Sequence, residues 1–367
     1  MTRISHAEAY LIDLDVETVR TDAVQAFVKQ ETVFVEIAVT DGGTGTGYAY
    51  TIGTGGTAVL ALLNDYLLPR LVGADPRRAE AIWLDLFAST RATAVGAITS
   101  LALAAIDTAV WDWRGRSTDQ PLWMMAGGAK DRIPVYDTEG GWLHLSTDDL
   151  VKGALAAKDD GLGGVKLKIG RSPAEDARRL AEVRAAVGPD FDLMVDANQS
   201  LTAAEAARRA RLLEPSDPYW LEEPLPADDL AGHESLARAT SVPIAVGESL
   251  YSVGQFRAYL ERSAAGVVQV DVARVGGITP WLKVAHLAEA FNVAVCPHFL
   301  MELHVSLACA TPQSRYLEHI PQLRAITTTE LAIVDGQALA PTTPGLGIDW
   351  DRDAIDHRRT SATWGAA

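Results

Sequence analysis

The sequence predicts a parallel α/β barrel of the TIM type behind an N-terminal α+β domain, and three observations predict it. From Ile133 onward a short apolar run recurs about every twenty-five to thirty residues, with a helix-forming stretch between successive runs. Each run ends in something polar or charged, as barrel strands do where they surround a site. Before Ile133 the strand-like and helix-like segments are grouped instead of alternating, which sets that region apart.

In chain order, "AEAYLID", "TVFVEIAV" and "GTGYAYTI" are β-branched or aromatic runs parted by charged or Gly-rich turns, and they read as an antiparallel meander. "TAVLALLNDYLLPRL", "PRRAEAIWLDLFAS" and "VGAITSLALAAIDTAVWDW" carry apolar residues at three-to-four spacing and read as helices. This first domain is expected to cover residues 1–130. The barrel, expected over 131–322, follows with eight strands: "IPVYDT", "GVKLKIG", "DLMVDAN", "YWLEEP", "PIAVGES", "VVQVDV", "VAVCPH" and "RYLEHI". Residues 323–367 turn Pro/Gly-rich ("ALAPTTPGLGIDW") and are expected to pack back on the first domain.

Composition narrows the function classes. The 367 residues carry a net charge of −16, which argues against a basic track for nucleic acid or anionic lipid. Neither a secretory leader nor a window long enough to span a membrane is visible, so membrane insertion and export are not expected. Cys296 and Cys309 lie in apolar runs without metal-ligand spacing and read as reduced core thiols, which fits the cytoplasm.

The strand ends hold the chemistry. Asp196, Glu222 and Glu248 are spaced by 26 residues and again by 26 (222 − 196 and 248 − 222), one βα unit each, and are expected at equal heights on neighbouring strands. Three converging carboxylates repel unless a cation holds them, and oxygen-only ligands suit Mg²⁺. In "GGVKLKIG", period-two alternation sends Lys166 and Lys168 to the face opposite Val165 and Leu167. Adjacent ammonium groups lower each other's pKa, so one of them is expected to serve as a base. Asp271 and His298 end successive strands on the opposite wall, where a carboxylate can orient a ring nitrogen. His286, His304 and His319 read as structural.

These residues also carry a resemblance. "KLKIG", "MVDANQSL", "WLEEP", "VGESL", "VDVARVGGIT" and "CPHFLMELH" resemble the mandelate racemase subgroup of the enolase superfamily, over essentially the whole chain. The resemblance implies a modified (β/α)7β barrel, with the first domain and the tail forming a cap. It implies one Mg²⁺ on Asp196, Glu222 and Glu248. Lys168 would be the base on one face of the substrate, with Lys166 beside it, and His298 with Asp271 the acid or base on the other. Glu318 would hydrogen-bond the substrate carboxylate as a carboxylic acid, and Thr138 and Asn198 would be polar contacts to substrate. A homo-oligomer is expected on the same ground.

The partial reaction implied is removal of the α-proton of a carboxylate to give a stabilised enediolate. Loss of a β-hydroxyl then makes the enzyme an acid sugar dehydratase; reprotonation on the other face makes it a racemase or epimerase. The segment "DVETVRTDAVQAFVKQET", expected over the pocket mouth, favours the first: Arg20, Thr21, Gln25 and Lys29 are polar, and Trp142 follows in "TEGGWLH". Arg20, Lys29 and Trp142 are therefore expected to contact substrate. A non-catalytic member of the fold ranks lower because no expected position is vacant. A metal-dependent hydrolase would leave the paired lysines without a role.

Overall fold

The computed structural model describes residues 2–360. The first three strands, β1 (Ile4–Asp15), β2 (Lys29–Val39) and β3 (Thr44–Thr51), form an antiparallel sheet in that order. Helices follow, the longest being Ala97–Thr118, whose middle is buried almost throughout because Ala and Leu occupy every face. Asp107 on this helix accepts from the amide of Thr279 (2.8 Å) and from its hydroxyl (2.7 Å), at the start of the helix Ile278–Ala290. The cap is thereby docked on the second body.

That body is a ring of eight parallel strands: β4 (Arg132–Asp137), β5 (Gly164–Lys168), β6 (Asp192–Asp196), β7 (Trp220–Glu222), β8 (Ile244–Val246), β9 (Val267–Val268), β10 (Ala294–Val295) and β11 (Leu317–His319). Neighbours in sequence are neighbours in the sheet, β11 lies beside β4, and a bridge between Val295 and Ser314 closes the ring. Helices connect the strands, and their starts are written locally. The side chains of Ser146, Ser172, Thr202, Asp229 and Ser252 each accept from a backbone amide three residues on, satisfying a donor the helix leaves unpaired.

The barrel interior is layered by the two-residue period of the strands. Tyr136, Met194, Trp220 and Cys296 pack into an apolar floor. Two residues further along the same strands come Thr138, Asp196, Glu222 and His298, so the floor sets the height of the polar layer above it. Asp196 and Glu222 are paired across β6 and β7, level as expected. Glu248 is not level: Glu222 pairs with Ala245, three residues earlier. Gly247, at φ +154° and so close to Gln269 that a Cβ would lie 2.5 Å from its carbonyl carbon, turns the chain and places Glu248 beside the other two carboxylates.

The tail does more than return to the cap. β12 (Ile333–Val334) and β13 (Gln337–Leu339) form a hairpin whose second strand pairs antiparallel with the first half of β4, at residues 132–134, on the same edge that β5 takes up from Tyr136 onward. Only then does Trp350 reach the first sheet, packing edge-on against Phe34 (5.0 Å) and Tyr48 (5.4 Å). The Pro/Gly-rich stretch hid the hairpin because two- and three-residue strands leave no periodicity to read.

Candidate active site

The carboxylates of Asp196, Glu222 and Glu248 each offer an oxygen within 4.8 Å of the others, all three buried. Their other contacts aim them. Asp196 Oδ1 accepts from the Asn198 amide (2.8 Å), Glu222 Oε2 from the Trp220 indole (2.9 Å), and Glu248 Oε1 from Arg274 (3.3 Å). Beside them Glu223 Oε1 and Asn198 Oδ1 are buried without a hydrogen-bond partner. Burial and the neighbouring Glu248 and Asp196 push the Glu223 carboxyl well above its usual value. A donor set of hard oxygens, an excess of negative charge and unpaired oxygens alongside fit one Mg²⁺. Asn198, Gln199, Glu223 and Phe299 all have positive φ just past strand ends, which concentrates backbone strain in this layer.

Lys166 is 1 % exposed and lies 3.0 Å from Glu222 and 2.8 Å from Glu318. Lys168 Nζ lies 2.5 Å from Asp196 Oδ2 and 5.4 Å from the centre of the Trp142 ring. Burial pushes the Lys168 pKa down and Lys166 adds to this, but the carboxylate of Asp196, with Glu222 and Glu248, outweighs both and the net direction is upward. The expectation of a depressed lysine is therefore not what this ring of charges gives, because it weighed the like charge and not the nearer anion. Glu318 departs in the same way. It accepts from Thr138 Oγ1 (2.7 Å) and the Phe299 amide (2.7 Å), and Lys166 overcomes burial to hold its carboxyl far below the usual range, ionised and not a carboxylic acid.

On the facing wall His298 Nδ1 is 2.9 Å from Asp271 Oδ2, and its Nε2 is 3.2 Å from Glu248 Oε2. Asp271 is held by more than the ring: the Tyr50 hydroxyl donates to Oδ2 (2.7 Å), and the amides of Ala273 (2.8 Å) and Arg274 (3.1 Å) donate to Oδ1. Burial raises its carboxyl, but the hydrogen bond and charge of His298, with Arg274 and His304, outweigh it and keep the Asp271 pKa at about 2. His298 shifts upward, since Glu248 and Asp271 together outweigh its burial. Tyr50, from the cap, is a contributor the sequence did not reveal: strand alternation shows that it is buried but not which group it meets.

The segment between β1 and β2 closes the mouth. Asp22, Gln25 and Phe27 from it line the cavity with Ile52, Thr138, Trp142, Lys166, Lys168, Asn198, Glu248, Arg274, His298, Phe299, Glu318 and Ile320. Thr138, Asn198 and Trp142 thus stand at the cavity as expected. Trp142 reaches it because Gly141 lies flush on β5, where a Cβ would sit 1.7 Å from the Lys166 carbonyl oxygen. Arg20 and Lys29 do not line it. Arg20 grips Glu139 and reaches the Gln322 side chain (3.2 Å), while Lys29 lies 3.0 Å from Asp13 and 3.4 Å from Glu31. Each found a carboxylate nearer than the pocket. The cavity itself is about 40 Å³, room for a few waters.

Known proteins resemble the chain along nearly its whole length. Residues 11–127 match the family model of the mandelate racemase / muconate lactonizing enzyme N-terminal domain, and residues 149–354 match the enolase C-terminal domain-like model. The chain is 36% identical to L-talarate/galactarate dehydratase of Salmonella typhimurium, over 88% of this chain and 81% of that protein. It is 35% identical to 3,6-anhydro-α-L-galactonate cycloisomerase of Streptomyces coelicolor, over 90% and 92%. Among solved structures, L-talarate dehydratase from Polaromonas, complexed with Mg and L-glucarate, superimposes with a TM-score of 0.93 at 34% identity, covering 98% of each chain. A racemase from Streptomyces coelicolor with bound magnesium gives 0.93 at 33%, over 97% and 100%.

Proposed function

Because the chain belongs to the mandelate racemase/muconate lactonizing enzyme family of the enolase superfamily, we propose that it dehydrates an acid sugar to a 2-keto-3-deoxy acid with Mg²⁺. One observation carries the reading. Around the ring Lys168 on β5 and His298 beyond β10 are separated on one side by the carboxylates of β6, β7 and the β8 loop, and on the other by Thr138 and Glu318. A substrate carboxylate placed between these arcs has its α-carbon between two proton-transfer groups.

The residues divide the work. Asp196, Glu222 and Glu248 hold the cation. When bound, Mg²⁺ supplies a Lewis acid for the substrate carboxylate and positive charge that competes with Lys168 for Asp196. Lys168, as the free amine, takes the α-proton; the C–H electron pair becomes the carbon–carbon double bond of an enediolate. Lys166 places its ammonium where that dianion gathers charge, which favours the transition state over the substrate. Its partner Glu318, with Thr138, fixes Lys166 in place. His298, as the imidazolium whose Nδ1–H is held by Asp271, donates its Nε2 proton to the β-hydroxyl, which leaves as water as the β C–O bond breaks. The enol product takes a proton at the β-carbon and becomes the ketone.

With Mg²⁺ and a library of acid sugars, an α-keto product trapped by semicarbazide is expected. If no member yields one while the optical rotation of a simple 2-hydroxy acid decays to zero, the same two groups are serving a racemase. The ligand is a small carboxylate; we further propose a symmetric homo-oligomer, to be read from its mass in solution, and a cytoplasmic enzyme, on its two buried unpaired cysteines. Among the described residues no helix is long and apolar enough to cross a membrane.

A further inference from the structure

The part of the cavity wall that lies outside the catalytic ring bears on which acid sugar fits. It is built from the lid residues Asp22, Gln25 and Phe27 with Ile52 and Ile320. The lid's cations are spent elsewhere, Arg20 on Glu139 and Lys29 on Asp13 and Glu31. Asp22 is therefore the only charged lid residue at the cavity among the described residues. It is 9 % exposed. Its Oδ1 accepts from the amides of Val24 (2.7 Å) and Gln25 (2.8 Å), which locks the carboxylate in a turn, and no described residue donates to Oδ2. The cations that do line the cavity, Lys166, Lys168 and Arg274, are each already paired with a carboxylate of the catalytic ring. Such a wall offers a carboxylate acceptor to a hydroxyl and no unpaired cation to a second carboxylate, only the neutral amide of Gln25.

We infer that the site selects acid sugars with an uncharged, hydroxyl-bearing far end, the monoacids, over the matching diacids, and that the Asp22 carboxylate is the group that selects. The inference rests on the acid sugar reading above. Selection has two parts. A terminal hydroxyl can donate to Oδ2, whereas a terminal carboxylate can only repel it. Two carboxylates roughly 5 Å apart at an effective dielectric of about 20 disfavour binding by about two orders of magnitude before salt screening, so about tenfold or more should survive at physiological salt.

The test is calorimetric binding to the Mg²⁺-loaded protein of two matched pairs, D-gluconate with D-glucarate and D-galactonate with galactarate. The pair member that binds more tightly is expected to be the monoacid, by about tenfold or more. Asp22→Asn keeps the oxygen that the turn needs and removes the charge. It should weaken the monoacid, strengthen the diacid and close the ratio to within about threefold. A diacid that binds as tightly as its monoacid, or a ratio that Asp22→Asn leaves unmoved, overturns the inference. Since binding is the readout, a monoacid that binds selectively yet gives no keto acid defeats the dehydratase reading and leaves the selection standing. Silence from all four ligands defeats both.

Discussion

Replacing Asp271 by asparagine should disable His298 without disturbing its position, and the reason lies in four hydrogen bonds. Oδ1 receives two backbone amides, from Ala273 and Arg274, and Oδ2 receives the His298 ring and the Tyr50 hydroxyl. In Asp271→Asn the amide oxygen has to face the two backbone donors, because turning the NH2 group toward them leaves both unpaired, at roughly 1–3 kcal/mol each. The NH2 group therefore points at His298 and donates to Nδ1. The ring proton moves to Nε2, the tautomer is reversed, and the carboxylate that helped raise the pKa of His298 is gone. Without that carboxylate the pKa of His298 should fall, leaving less imidazolium to act as the acid. Loss of one general acid–base group costs about 10²–10⁴ in rate, so kcat should fall into that range while KM moves little. The Tyr50 hydroxyl loses its acceptor, which should cost about 1–3 kcal/mol of stability and lower Tm by a few degrees. The assay is kcat from keto-acid formation, paired with ¹⁵N NMR of the imidazole. A variant within about threefold of wild type in kcat, or one that keeps the proton on Nδ1, refutes the reasoning.

Other outcomes follow from the same contacts. Glu248→Gln removes one of three anionic ligands and should weaken Mn²⁺ binding, read by EPR titration, by at least about tenfold with the circular dichroism unchanged; undiminished affinity refutes the triad. Lys168→Ala and His298→Asn should each reduce turnover by at least about 10², and unchanged kcat in both would put the chemistry elsewhere. Arg20→Ala cuts the strut from the lid to Glu139 and Gln322, so KM should rise about tenfold with kcat within threefold; a pure kcat effect would contradict a lid role. His304, buried with Nε2 accepting the Val272 amide (3.1 Å), has its pKa pushed down by burial from 6.5 to about 4. The unfolded chain binds a proton there first, so this contribution is complete above about pH 6.5 and is lost as pH falls toward 4, by roughly 3 kcal/mol. His304→Gln, which can keep the acceptor without the titration, should show a shallower decline of Tm over that interval than wild type.

The barrel was legible in the sequence because each strand repeats one grammar. A large apolar residue such as Tyr136, Met194 or Trp220 fills the floor, and a polar residue two places on faces the cavity. Spacing alone located Asp196, Glu222 and Glu248, though not the turn at Gly247 that brings the third into line. The lid was legible as a segment but not residue by residue. Arg20 and Lys29 drew attention by charge, yet side-chain direction in that loop follows the Asp22 turn and the Thr21–Ala26 bridge, which aim Asp22, Gln25 and Phe27 inward. Protonation was the least legible. Lys168 and Glu318 each sit among several charges, and the sign of the shift depends on distances that only the fold supplies.

Removal of an α-proton is the step on which every later one depends, and proton NMR in D2O tests it directly. With Mg²⁺ present, the α-proton signal of a substrate acid sugar should disappear as a 2-keto-3-deoxy acid carrying solvent deuterium at C3 accumulates, and neither change should occur with Lys168→Ala. An α-proton that persists in every acid sugar supplied to the Mg²⁺-loaded wild-type enzyme would contradict the account.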